Sequence, residues 1–163
     1  GGLFPWLTVR ENIATGVPAN SAPQTRVALV DDWLQTTALD EFADHYPHQL
    51  SGGMRQRVEL GRALVSNADT LLFDEPFSAL DYQTRLQMRK ELVTTLAARP
   101  RTVVFVTHDI EEAVQLADRI AILSPRPARV KTEIVMDAAK PRLPTDPAAQ
   151  AVLRRIYQEL GVD

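Results

Sequence analysis

Residues 50–57 read LSGGMRQR and residues 70–76 read TLLFDEP, and these two stretches decide the fold. In the first, two glycines open a predicted helix that runs to about Ser66. In the second, the apolar run TLLF has the length of a strand, ends at Asp74 and Glu75, and is stopped by a proline. We therefore expect a helix followed by a buried strand that carries two carboxylates at its end.

Strands and helices continue to alternate downstream. Asp81 is the expected N-cap of a second helix, and residues 102–106 and 119–123 are the expected second and third strands. This alternation predicts an α/β fold with a mainly parallel sheet covered by helices, in which functional groups gather at the carboxyl ends of the strands. His108 directly follows the second strand, so we expect it at the same sheet edge as the two carboxylates.

The chain divides into three parts in this interpretation. Residues 1–50 form a helical subdomain, residues 51–127 form the core, and residues 128–163 supply a C-terminal strand and helix. The strand alternates as an exposed antiparallel strand does, and the helix is expected to begin at Asp146 as its N-cap. The apolar stripe predicted for this helix consists of Val152, Ile156 and Leu160.

Composition excludes several classes of protein. The chain has 163 residues, of which 45% are hydrophobic and 24% charged, as in an ordinary globular domain. Its net charge of −3 argues against a nucleic-acid partner, and the lack of cysteine excludes disulfides and thiolate metal sites. The longest apolar runs are far shorter than the ~20 residues that span a bilayer. We therefore expect a cytosolic protein whose link to any membrane comes through a partner.

Each motif has an ordinary structural explanation when it is taken alone. A serine followed by two glycines is common at a helix start, and a lone histidine after a strand is most often a core residue. The same Ser51 turn would also suit a phosphate, because helix N-termini present free N–H groups. Adjacent carboxylates at the end of a buried strand need a cation or donors, since stripping a charge of water is costly. The combination of motifs favours a phosphate site.

In order and spacing these segments resemble ATP-binding cassette (ABC) ATPases. Residues 50–57 resemble the signature motif, residues 70–76 the Walker B strand, residues 78–81 the D-loop and residues 106–109 the switch-histidine region. The PWLTV segment at residues 5–9 resembles the stretch that follows the family's Q-loop. The chain is similar to importer ATPases of the nitrate, sulfonate and taurine branch in three places: this segment, the LSGGMRQR sequence of the signature motif, and the C-terminal tail.

The resemblance implies a P-loop NTPase-like fold with ATP and Mg²⁺ as cofactors. Asp74 would orient the magnesium ion, and Glu75 would polarise the water that attacks the γ-phosphate. His108 would contact that phosphate as a sensor. The chain would then serve in an ATPase that couples hydrolysis to transport of a small anionic solute.

The resemblance also implies partners. The family forms a head-to-tail dimer, so Ser51, Gly52 and Gly53 would contact ATP held by a second ATPase subunit, and Asp81 would bridge the two sites. Residues 3–49 would meet a transmembrane permease subunit at the cytoplasmic face of the membrane. A periplasmic or extracellular substrate-binding protein would act indirectly through that permease.

One element of the family pattern is missing from the sequence. No stretch reads G-x-x-x-x-G-K-[ST], the loop that holds the nucleotide's phosphates. The family places this loop upstream of residue 1, so we expect that the N-terminal portion is missing and that the isolated chain is inactive. We also expect that a sheet edge or an apolar face is left uncovered. Two other interpretations stay open, a non-transport ABC ATPase and an inert interaction fragment.

Overall fold

The computed structural model describes residues 2–161, which form six α-helices, two short 3₁₀ turns and four strands. In chain order they are α1 (Val9–Ala14), α2 (Pro23–Thr36), the turns Asp40–Phe42 and Pro47–Gln49, α3 (Gly52–Leu64), β1 (Thr70–Asp74), α4 (Tyr82–Ala98), β2 (Thr102–Val106), α5 (Ile110–Leu116), β3 (Arg119–Leu123), β4 (Val130–Val135) and α6 (Pro147–Leu160).

Side-chain caps fix where several helices begin. Ser51, Asp81 and Asp109 each accept a hydrogen bond from the backbone N–H three residues later, at the starts of α3, α4 and α5. The N-cap position predicted for α6 is confirmed at Asp146, although its side chain makes no capping bond to the helix. Its carboxylate instead accepts from the N–H of Leu143, 2.7 Å away, in the loop before the helix.

The strands form two separate pairs. β1 and β2 are parallel, with Asp74 opposite Val106, whereas β3 and β4 are antiparallel. The predicted antiparallel strand is confirmed. The expectation that β3 continues the parallel sheet is wrong, because β3 does not pair with β1 or β2. A short turn brings the chain back at once, and Ser124 donates its N–H to the carbonyl of Arg129 across it, so β3 pairs with the strand that follows it.

Buried apolar residues group into two clusters. The larger joins α1, α2, α3, β1 and α4, and the smaller joins α5, β3, β4 and α6. In α6 the buried face consists of Ala149, Leu153 and Ile156, so the predicted stripe is shifted, and Leu160 is 46% exposed. The three-part division of the chain stays a prediction.

A glycine allows α2 and α3 to pack closely. A Cβ atom on Gly61 would lie 2.2 Å from Nε1 of Trp33, a distance that no side chain could accept. The indole instead lies directly against the helix and donates to the carbonyl of Arg57 at 3.0 Å. This contact fixes the orientation of α3 relative to α2.

One face of the parallel pair is open to solvent. The prediction that β1 is a buried strand is wrong for this face, because Leu72 is 75% exposed, and Val104 and Val106 of β2 are 50% and 53% exposed. Leu71 and Phe73 on the other face pack into the larger cluster, so helices cover that side. Leu72, Val104 and Val106 form the open apolar face, and that an N-terminal portion is missing stays a prediction. No helix within residues 2–161 has both the length and the apolar character needed to cross a bilayer.

Candidate functional site

The carboxyl ends of β1 and β2 bring Glu75 and His108 into contact. Glu75 donates its backbone N–H to the carbonyl of Val106 at 2.8 Å, which continues the parallel ladder one residue beyond β1. Its side chain then meets His108, with Nδ1 and Oε1 2.8 Å apart. Because a carboxylate can only accept, the ring Nδ1–H donates. The two residues lie at the sheet edge that the sequence predicts.

The contact changes the acid–base behaviour of His108. The hydrogen bond that the imidazole donates to Glu75 raises the pKa of His108 above its usual value of 6.5, and the negative charge of Glu75 adds to this. Both side chains are open to solvent, with 75% of His108 and 45% of Glu75 exposed. A raised folded-state pKa means that the pair stabilises the fold below pH ~6.5 and that this contribution is lost as the pH rises through the folded pKa.

We expect an NMR titration of the 163-residue chain to give His108 a pKa above ~6.5. Glu75→Gln should return that pKa towards the ordinary value, because the carboxylate charge and the charge-assisted bond are both lost. Glu111→Gln, at an exposed position in the first turn of α5, is the matched control and should leave the titration unchanged. Equal His108 pKa values in the wild type and Glu75→Gln would contradict the contact.

Residues 51–53, named the signature turn after the motif that they resemble, form the first turn of α3. Ser51 is the N-cap, and its Oγ accepts from the N–H of Met54 at 3.2 Å, which leaves the hydroxyl proton able to donate elsewhere. Gly52 and Gly53 occupy the first two helical positions, where backbone N–H groups have no intrahelical acceptor. A Cβ on Gly53 would lie 3.2 Å from the carbonyl oxygen of Ala79, so the turn packs tightly against residues 78–81, the segment that resembles the D-loop.

Asp81 ends that loop and caps α4. Its carboxylate accepts from Thr84 twice, from Oγ1 at 2.6 Å and from the backbone N–H at 3.0 Å. These bonds, with the side-chain bond the stronger, lower the pKa of Asp81. Burial lowers the pKa of Arg57 on α3, and the charge of Asp81 opposes that shift. The structure thus places Asp81 at the start of its own helix.

A buried ion network supports the loop that carries His108. Arg89 of α4 donates to Asp109 at 2.8 Å and to Glu112 at 2.9 Å, and Arg89 and Glu112 are almost fully buried. Burial tends to raise the pKa of Asp109, but the N–H of Glu112 and the Arg89 charge outweigh it, so the pKa is lowered. Thr107 completes the network by donating its hydroxyl to Glu112 at 2.7 Å.

Two of these contacts were not predicted from the sequence. Arg89 falls on the apolar stripe of α4, where its spacing marks a buried position but its charge gives no hint of a partner. Gln56 lies within the LSGGMRQR stretch, and its side chain bonds to the backbone of Glu75 and Ala79. Its position in that stretch was the only available signal.

Asp74 borders a groove between α3 and β1. The groove has a volume of about 320 Å³, and its lining includes Gln56, Glu59, Arg62 and Pro76. Within the part of the chain that the structure describes, no three acidic or histidine side chains converge on a metal-binding point. A single exposed carboxylate still fits Mg²⁺, because this ion commonly takes one or two carboxylates and completes its shell with substrate phosphates and water.

The chain is similar in sequence to known proteins. Residues 1–78 match the sequence family described as ABC transporter. The chain is 41% identical over 141 residues to an uncharacterized ABC transporter ATP-binding protein of Methanocaldococcus jannaschii, covering 86% of this chain and 53% of that protein. It is also 41% identical over 157 residues to an aliphatic sulfonates import ATP-binding protein of Bacillus licheniformis, covering 96% and 61%.

The chain is also similar in fold to solved structures. The fold is similar to that of an ATP-binding cassette solved as a dimer in a post-hydrolysis state bound to ADP and Pi, with a TM-score of 0.72 and 33% identity. The match covers 85% of this chain and 60% of that one. The chain spans between 53% and 62% of the length of the curated relatives it matches.

Proposed function

We propose that the chain acts in the ATP-hydrolysing subunit of an ABC importer, because residues 1–78 match the ABC transporter family, its sequence is similar to import ATP-binding proteins and its fold is that of an ABC ATPase cassette. The observation that carries the proposal is the contact between Glu75 and His108 at the carboxyl ends of two parallel strands. A base and a phosphate-sensing side chain held together at a strand end are what γ-phosphate hydrolysis requires.

In this proposal Glu75 acts as the general base. It accepts a proton from the attacking water while the water oxygen bonds to the γ-phosphorus and the bond to the bridging oxygen of ADP breaks. His108 donates to the Glu75 carboxylate through Nδ1, which leaves the Nε2 of His108 to contact the γ-phosphate. Asp74 would hold Mg²⁺, which when bound supplies positive charge to the β- and γ-phosphates. The raised pKa of His108 favours a charged ring beside that phosphate.

The signature turn serves the opposite nucleotide in this proposal. The hydroxyl of Ser51 and the N–H groups of Gly52 and Gly53 would bind ATP held by a second ATPase subunit, where the helix dipole favours negative charge. Asp81, in the D-loop next to this turn, would face the boundary between the two sites. The dimeric assembly of the similar cassette supports this arrangement.

The proposed cargo is a small anionic solute such as nitrate, a sulfonate or taurine. Support comes from the names of relatives with 38–41% identity, which are aliphatic sulfonates import ATP-binding proteins. The proposed partners are a transmembrane permease contacted by residues 3–49 and, through it, a periplasmic or extracellular substrate-binding protein. The subunit would act at the cytoplasmic face of the membrane.

We expect ATP turnover from a chimera that joins the phosphate-loop segment of a related importer ATPase to this chain. The 163-residue chain alone should show no turnover above a Glu75→Gln blank, because its sequence lacks the loop that binds the β- and γ-phosphates. Steady-state phosphate release with Mg²⁺-ATP measures both. A folded chimera that binds ATP without hydrolysing it would contradict the proposal and favour an interaction fragment.

A further inference from the structure

The Gln56 side chain reaches from α3 to the turn formed by residues 75–79. It lies on α3 one helical turn after Gly53 and is partly buried. Its Nε2 donates to the carbonyl oxygen of Glu75 at 3.0 Å, and its Oε1 accepts from the N–H of Ala79 at 2.9 Å. A second, longer contact joins Nε2 to Oγ of Ser78 at 3.4 Å. One side-chain amide thus bonds to the carbonyl of Glu75 on one side of the turn and to the N–H of Ala79 on the other.

The backbone that Gln56 contacts is strained. Glu75 has a φ of +46°, in the left-handed region that non-glycine residues rarely adopt. Such a conformation persists only where surrounding groups hold it. The carbonyl of Glu75 also accepts from the N–H and the hydroxyl of Ser78, at 3.2 and 2.9 Å, and these bonds come from within the same turn. Gln56 adds a restraint from a different element.

We propose that Gln56 is a positioning residue that holds the left-handed turn at Glu75, so that the Glu75 carboxylate stays against His108. The proposal rests on the function proposed above for Glu75. Gln56 belongs to α3, the helix that begins at the signature turn. Its side chain therefore connects the turn proposed to bind the partner's nucleotide with Glu75, the proposed base for the nucleotide of this subunit.

The chemistry of the side chain fits this role. Glutamine presents one donor and one acceptor on neighbouring atoms, and the turn offers one acceptor and one donor in matching positions. Methionine has nearly the same length and volume but makes neither bond. Gln56→Met therefore removes the restraint with little change in packing.

The test uses the 163-residue chain and the chimera. Gln87→Met is the matched control, because Gln87 is exposed on α4 and its amide donates to the carbonyl of Thr36 at 3.0 Å, outside the site. In Gln56→Met we expect the Ala79 amide to exchange about tenfold faster, as for loss of one hydrogen bond. We also expect the His108 titration to move towards that of Glu75→Gln. In the chimera, kcat should fall about tenfold with an unchanged KM for ATP, and Gln87→Met should change none of these.

Several outcomes would overturn the proposal. A folded Gln56→Met variant with wild-type His108 titration and kcat would show that Gln56 only contributes to packing. If that variant fails to fold, an Ala79 amide that exchanges at the unprotected rate in the wild type would overturn it, and a protected amide would support it. A chimera without turnover, in which Gln56→Met still shifts the His108 titration, would contradict the proposed function and support the positioning role.

Discussion

Glu75→Gln is expected to lower kcat for ATP hydrolysis by the chimera by about 10²–10⁴-fold while the affinity for ATP is retained. Glutamine has the shape of glutamate but cannot accept the proton of the attacking water. It also removes the negative charge beside His108, whose pKa that charge helps to raise. Steady-state phosphate release gives kcat, and equilibrium binding of Mg²⁺-ATP gives the affinity.

The matched control for this experiment is Glu111→Gln, which removes one carboxylate from an exposed position on α5 and should keep wild-type turnover. A Glu75→Gln chimera that retains more than about a tenth of wild-type kcat would contradict the assignment of Glu75 as general base. Equal losses in both variants would show that the effect comes from net charge and not from the base.

The local features of this site follow from short-range rules. Asp81 and Asp109 cap helices because each precedes an apolar-periodic segment and bonds to the N–H three residues on. Glu75 and His108 meet because each follows a strand, and parallel strands end at the same sheet edge. For these residues the sequence contains both the signal and its physical cause.

Other features depend on which segments pack or pair with one another, and the local sequence pattern could not predict them. The apolar runs of β1 and β2 indicate strands but do not say which face a helix covers, and Leu72 and Val104 are exposed. The pairing of β3 depends on the turn that follows it. Gln56 contacts the carbonyl of Glu75, nineteen positions further along the chain. Such side-chain to backbone bonds carry no periodicity.

Arg89→Met is expected to lower the free energy of unfolding by about 3–5 kcal/mol. The guanidinium bonds to Asp109 and Glu112, and both Arg89 and Glu112 are at least 95% buried. Removing the cation leaves the Glu112 carboxylate buried with only the hydroxyl of Thr107 and no opposite charge. Urea unfolding of the 163-residue chain measures the loss as a lower transition midpoint at an unchanged slope.

The matched control for this loss is Arg119→Met, which breaks an exposed ion pair with Glu133 and should leave the midpoint nearly unchanged because water screens that pair. Adding Glu112→Gln to Arg89→Met should restore part of the stability, since the uncompensated charge is then removed together with its partner. A loss of less than about 1 kcal/mol in Arg89→Met would mean that water reaches Glu112 readily. The network would then restrain the His108 loop only weakly, because a hydrated carboxylate does not need Arg89 to stay in place.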